Sequence, residues 1–160
     1  MNVIDTLVGQ MGIVQRVIKR NLEGISDEES LTHPSPAGNS PNWVLGHIVA
    51  TRSGLLKNLG ETPLLDDAAI QQYRRGSDGN VPAPLPLVKL FEALDKSQMM
   101  LVSKLKAIPE AKLAEKSPFG SPAGPDASLA EALAAMVFHE SYHSGQLGVL
   151  RRVCGKQGAI

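Results

Sequence analysis

Two histidines stand one helical turn apart near the C-terminal end of the chain, at His139 and His143. On a helix, residues four apart project from the same face, so both imidazoles point the same way. Apolar residues recur around them with helical spacing, namely Leu129, Met136, Leu147, Leu150 and Cys154. Two converging neutral imidazoles supply half of a typical transition-metal site. The pair therefore predicts metal binding, with ordinary core-edge histidines satisfied by side chains or water as the alternative.

The same segment matches the His-Glu-x-x-His pattern of zinc peptidases, with Glu140 inside the pair. Such enzymes take a third ligand from downstream. Between Ser144 and Ile160 the chain has no His, Asp or Glu, so that ligand is missing on the expected side. Glu140 still stands where a general base would stand. We keep two alternatives for it: a general base, or a residue that is solvated or partners a neighbouring group.

A third histidine, His47, lies in a second segment with helical character. The segment opens with Ser40-Pro41, a good N-cap followed by proline at the first helical position. Trp43, His47 and Thr51 then follow at four-residue steps and share one face. His47 is therefore expected on a helix, on the same face as Trp43 and Thr51.

The fourth histidine, His33, precedes Pro34, and a residue before proline is disfavoured in helical geometry. We expect His33 in a loop. The most economical ligand set is therefore His47, His139 and His143 on two facing helices. Three neutral ligands with an open fourth position are typical of a catalytic rather than a structural divalent site.

The composition of the chain limits the classes of protein to which it can belong. The chain has 160 residues, of which 42% are hydrophobic and 20% are charged, and its formal net charge is zero. These values predict a single globular domain over residues 1–160. A neutral chain lacks the basic surface that nucleic acids or anionic membranes attract. A single cysteine and the lack of a recognisable signal peptide indicate a reducing, cytoplasmic setting.

Helical periodicity recurs in four segments, and no segment shows sustained strand alternation. The segments end near Gly24, near Gly60, before Pro109 and near Gly155, and the last opens with a capping-box spacing at Ser128. Four amphipathic helices predict an all-α four-helix bundle. Residues 60–86 form a long link rich in Pro, Gly and Asp, which would serve as a crossover between the second and third helices.

The motifs together resemble a known family. Asn42-Trp43-Val44-Leu45-Gly46-His47 is followed, near the C-terminus, by His139 and His143, then Gly145-Gln146-Leu147 and Arg151-Arg152. In order and spacing these elements are similar to the DinB-like superfamily, the YfiT/DinB group of metalloproteins, over nearly the whole chain. The resemblance implies a four-helix bundle whose metal ligands fall on His47, His139 and His143.

The resemblance also implies zinc or nickel as the metal, and frequent dimers. Some members are transferases that use low-molecular-weight thiols, and a few are hydrolases. Our leading hypothesis is a divalent-metal-dependent, thiol-dependent S-transferase acting on a small molecule. The alternatives are a metal-dependent hydrolase with Glu140 as general base, or a non-catalytic metal-binding bundle. The last alternative needs a fourth protein ligand, for which Glu140, His33 and Gln98 are candidates.

Self-association is a further expectation. Ile48, Leu56, Val137 and Phe138 are apolar and lie off the predicted ligand faces of the second and last helices. Extra apolar positions of this kind indicate a second contact surface. We therefore expect a homodimer, with no nucleic-acid or membrane partner.

Overall fold

The computed structural model describes residues 2–34, 38–77 and 81–160. These residues form five α-helices, two short 3₁₀ helices and no strand. The α-helices are α1 (Val3–Leu22), α2 (Pro41–Asn58), α3 (Asp67–Tyr73), α4 (Leu87–Lys106) and α5 (Leu129–Val153), and the 3₁₀ helices are Glu29–Leu31 and Glu110–Ala114. No helix within these ranges combines the length and hydrophobicity needed to cross a bilayer.

Three of the four long helices, α1, α2 and α5, begin at polar caps that the sequence already contains. The Asn2 side chain accepts a hydrogen bond from the backbone N–H of Asp5, and Ser40 accepts one from Trp43. Ser128 and Glu131 form a reciprocal capping box at the start of α5. Such caps satisfy backbone donors that have no partner within the helix. The predicted all-α helical bundle is confirmed.

The long link carries a helix that the sequence analysis did not predict. Asp66 accepts a hydrogen bond from the Ala69 backbone and caps α3. The helix is only seven residues long, too short for apolar periodicity to be visible among the prolines and glycines around it. It packs against α2 and ends with the buried ring of Tyr73.

The four long helices surround two apolar clusters, because α1 and α2 each pack against both α4 and α5. One cluster is centred on Ile18, Leu45 and Leu90, and the other on Leu56 and Leu101. His47 and its partners on α5 therefore lie on helices that the apolar core already holds in place.

Two contacts bear on the direction of α2 relative to α4. Asn42, at the start of α2, donates to the carbonyl of Leu85, just before α4. Glu61, beyond the end of α2, pairs with Lys104 in the last turn of α4. Matching ends therefore lie together, as in parallel neighbours. The link includes residues 78–80, which lie outside the described ranges, so the crossover itself stays a prediction.

The argument for a second contact surface needs correction. Ile48, Leu56 and Val137 are buried within the chain's own core, and only Phe138 is exposed, at 70%. The error arose because α2 is buried on almost all sides, whereas the sequence analysis gave it a single packing face. The homodimer stays a prediction, and those three residues do not support it.

Candidate metal centre

The fold brings three of the four histidines together. His47 comes from the middle of α2, and His139 and His143 come from successive turns of α5. The Nε2 atom of His139 lies 3.1 Å from that of His47 and 3.1 Å from that of His143. One ligand atom from each ring lies within 4.8 Å of the other two. The predicted triad therefore converges on one point between two helices.

Two contacts fix the orientation of His47. Its Nδ1–H donates to the backbone carbonyl of Tyr73 over 2.8 Å. Its ring stacks on Trp43, with centroids 4.8 Å apart and planes 8° apart. A carbonyl only accepts hydrogen bonds, so the proton sits on Nδ1 and Nε2 presents a lone pair to the cluster. That is the tautomer that a metal ligand requires.

Tyr73 reaches this position because its ring is tightly enclosed. A Cβ added at Gly46 would lie 2.3 Å from the Tyr73 ring, so only glycine fits there. The phenol donates to Asn42 over 2.8 Å and accepts from the backbone N–H of Leu85. The ring thereby ties the end of α3 to α2 and places the Tyr73 carbonyl at His47. Gly46 and Asn42 belong to the motif that precedes His47. Both act through contacts with Tyr73, which lies outside that motif.

The two histidines on α5 differ in whether their Nδ1 atoms have a hydrogen-bond partner. His143 donates through Nδ1 to the side-chain oxygen of Gln146 over 2.7 Å, one turn further along the helix. The Nδ1 atom of His139 is buried and has no hydrogen-bond partner among the described residues. His143 therefore has a fixed tautomer, and His139 is the least constrained ring of the three.

The arrangement of protons and lone pairs favours a cation at the centre. With Nδ1 protonated on His47 and His143, both Nε2 atoms direct lone pairs at His139. A single N–H on His139 can donate to one of these lone pairs and leaves the other without a donor. A divalent ion satisfies all three, because zinc binds imidazole nitrogen at about 2.0–2.1 Å and places neighbouring ligands just over 3 Å apart. The observed 3.1 Å separations fit that requirement.

Burial keeps these imidazoles in the uncharged state that binds metal. It is the main cause that lowers the pKa of His47, His139 and His143. The pKa of His139 falls furthest, to about 4, because the charge of a protonated neighbouring ring adds to the effect of burial. At neutral pH the cluster therefore offers three uncharged imidazole nitrogens as metal ligands.

Glu140 lies next to His139 in sequence but has a different environment. Its carboxylate is fully buried and receives two hydrogen bonds from Arg52 of α2, at 2.6 and 2.7 Å. This bidentate pairing occupies both oxygens. The geometry favours a structural role for Glu140, and the general-base role stays an untested prediction. No sequence pattern indicated Arg52 as the partner of Glu140.

Neither Glu140 nor His33 joins the triad. Among residues 2–34, 38–77 and 81–160, the cluster of potential His, Cys, Asp and Glu ligands contains only the three histidines. His33 hydrogen-bonds through Nδ1 to the carbonyl of Gly38, in the loop before α2. The side-chain oxygen of Gln98 on α4 is buried without a partner in the described structure. The triad thus has the three-ligand composition that leaves one position for a small molecule.

Comparison with known proteins supports the fold and the family. A sequence model of the DinB superfamily matches residues 11–147. The chain is similar to a solved structure of a conserved protein from Enterococcus faecalis, with 20% identity, a TM-score of 0.76, and coverage of 98% of this chain and 99% of that one. At that identity the likeness concerns the fold alone. No curated protein matches the sequence.

Proposed function

The chain belongs to the DinB superfamily, and from that premise and the histidine geometry we propose that it is a divalent-metal-dependent enzyme of the thiol-dependent S-transferase type. His47, His139 and His143 would bind the metal, which we propose is zinc or nickel. The observation that carries the proposal is the convergence of three neutral Nε2 atoms, with no fourth His, Cys, Asp or Glu in their cluster among the described residues.

Each surrounding residue has a definite task in this proposal. Tyr73 and Gln146 hold the Nδ1 protons of His47 and His143, so that both rings keep their Nε2 lone pairs. Trp43 covers one face of His47 and excludes water from it. A divalent metal bound there would lower the pKa of a thiol or a water molecule in the open position.

Thiol transfer is favoured over hydrolysis by the environment of Glu140. A hydrolase of the His-Glu-x-x-His type needs that carboxylate free to accept a proton from water. Here Arg52 holds both of its oxygens inside the core. A thiol bound as thiolate has already lost its proton and needs no neighbouring base during transfer. Within the described cluster, three histidines and an open position support that chemistry better.

The test combines metal analysis with thiol dependence. Protein purified without added metal is expected to contain about one zinc or nickel ion per chain. Consumption of a small electrophile should then require an added thiol, and should stop when the metal is removed with a chelator and resume when it is returned.

A control variant separates this chemistry from base-assisted hydrolysis. Glu140→Gln should retain thiol-dependent turnover per folded molecule, whereas a hydrolase would lose its activity. Protein that contains no metal and takes up none during titration would disprove the proposal. Metal uptake with thiol-independent hydrolysis would instead favour the hydrolase, and metal uptake without any turnover would favour the non-catalytic bundle.

A further inference from the structure

A cavity of about 350 Å³ lies beside the histidine triad, between α2 and α5. His139 is the member of the triad that lines it. A larger groove of about 810 Å³ runs between α1 and α5, but none of the three histidines lines it. Of these two cavities, the smaller is the one that touches the triad, and its volume is within the range of small-molecule sites.

The lining of this cavity is mostly apolar and, among the described residues, contains no Asp, Glu, Lys or Arg. α5 contributes small and flexible residues, Ala132, Ala135 and Met136, and the loop before α5 contributes Phe119 and Pro122. A charged group placed against these apolar side chains would gain no ionic partner from the described lining. The lining therefore selects uncharged, apolar groups.

Polar groups at the two ends define the axis of the cavity. Thr51 lies at the His139 end, and its hydroxyl already donates to the carbonyl of His47 over 2.8 Å. Asn58, about two helical turns further along α2, also lines the cavity. At 1.5 Å per residue, the seven residues from Thr51 to Asn58 span about 10 Å along α2. A phenylethyl or similarly sized group fits that length.

Gly54 lies midway along this wall and makes the space available. A Cβ added there would meet no described atom within 4 Å, so a larger side chain has room to extend along this wall. Glycine inside a helix costs about 1 kcal/mol relative to alanine. A side chain in place of Gly54 would take up part of the space that this wall lines.

We infer that this cavity, lined by Thr51, Gly54, Phe119, Ala135 and His139, binds an uncharged apolar substituent of the molecule that occupies the open metal position. The inference rests on the proposed function, because the triad provides the anchor for the other end of that molecule. It assigns to the substrate an aliphatic or aromatic group next to its metal-binding atom, rather than an acidic group.

The experiment uses the full chain loaded with cobalt(II), whose visible spectrum changes when a thiolate binds. Three probes share the thiol and differ in the remainder: 2-phenylethanethiol, 2-mercaptoethanol and 3-mercaptopropionate. Burial of the aromatic ring should make 2-phenylethanethiol bind about 30-fold more tightly than 2-mercaptoethanol. 3-Mercaptopropionate should bind no better than 2-mercaptoethanol. Equal affinities for all three would overturn the inference.

Gly54→Leu tests the location of the apolar site. The variant should bind cobalt with an unchanged spectrum and bind 2-mercaptoethanol as before, while its preference for 2-phenylethanethiol falls to about threefold or less. Gly9→Leu is the matched control, because Gly9 is an exposed glycine of α1 whose Cβ would also meet nothing within 4 Å. An unchanged preference in Gly54→Leu would overturn the assignment of this cavity.

A measurement without metal separates the two proposals. In metal-free protein, 2-phenylethanol should shift the methyl resonances of Ala132 and Ala135, and these shifts should disappear in Gly54→Leu. If the protein fails to bind cobalt, the metal site is disproved, and the methyl shifts still decide whether the cavity takes an apolar group. Cobalt binding without methyl shifts and without thiol selectivity would overturn the cavity alone.

Discussion

Arg52 and Glu140 form a bidentate ion pair inside the core, with N–O distances of 2.6 and 2.7 Å. The third guanidinium nitrogen bonds to groups on two further helices, the Gln15 side chain of α1 and the Leu94 carbonyl and Ser97 hydroxyl of α4. All four long helices therefore meet at one guanidinium. Because Glu140 follows His139 directly, this pair lies next to the triad in α5.

Removing one member of this pair is expected to destabilise the fold strongly. Arg52→Ala should lower the free energy of unfolding by about 3–5 kcal/mol, since it leaves the Glu140 carboxylate buried and uncompensated. Replacing both with apolar residues, as in Arg52→Met with Glu140→Leu, should cost much less. Lys112→Ala, in an exposed pair with Glu115, should cost less than about 1 kcal/mol. Urea unfolding measures all three; a small loss in Arg52→Ala would contradict this account.

The sequence predicted the ends of the long helices and the convergence of the three histidines, because both depend on local signals. Caps, prolines and four-residue spacings are visible within one turn of the chain. The Arg52–Glu140 pair was not predictable in this way, since its members are 88 residues apart. The Tyr73 carbonyl was missed for a related reason: it is a backbone group at the end of a seven-residue helix, and no side-chain pattern marks it.

Gly46→Ala tests the contact between the Tyr73 carbonyl and His47. The added methyl would lie 2.3 Å from the buried Tyr73 ring, so the ring must move and carry the Tyr73 carbonyl away from His47. We expect a loss of stability of about 1–3 kcal/mol and weaker metal binding. Gly9→Ala adds a methyl in open space and should leave metal binding unchanged. Chemical denaturation and zinc titration of both variants provide the comparison. Tight zinc binding by Gly46→Ala would show that the Tyr73 contact is dispensable.

The stability of the metal-free protein should depend on pH through the triad. The pKa of His139 is about 4 in the folded chain against an ordinary value of 6.5, chiefly because of burial. Between those values the unfolded chain binds more protons, so stability is complete above about pH 6.5 and falls as the pH drops toward 4. His139→Gln should flatten this dependence. Thermal unfolding across pH 4–8 measures it, and a slope that is the same in both proteins would contradict the assignment.

A homodimer remains a prediction, now located on a different surface. Val149 and Val153 are exposed on α5 and, with Ile13 of α1, line the groove of about 810 Å³. Apolar side chains on adjacent helices favour a partner surface. Val149→Asp should shift the protein to monomer in sedimentation velocity at micromolar concentration. Met99→Asp, at an exposed apolar residue of α4, is the control and should not. A monomeric unmodified protein would rule the dimer out.

Replacing the triad histidines singly and in pairs should weaken zinc binding to different degrees, because the three rings are positioned differently. His139 and His143 share a helix, so the backbone sets their relative geometry, whereas the position of His47 depends on the packing of α2 against α5. His47→Ala should therefore weaken zinc binding without abolishing it. His139→Ala combined with His143→Ala should abolish binding, because a single imidazole is a poor site. Isothermal titration with zinc measures both.

Circular dichroism of the same variants distinguishes a catalytic site from a structural one. Two apolar clusters supply most of the buried area, and none of the triad belongs to either. The helices should therefore persist when the double variant loses its metal. A double variant that keeps the metal would show that the ligands are misassigned. A double variant that loses its helices together with the metal would show that the ion holds the bundle together, and the S-transferase proposal would lose its main support.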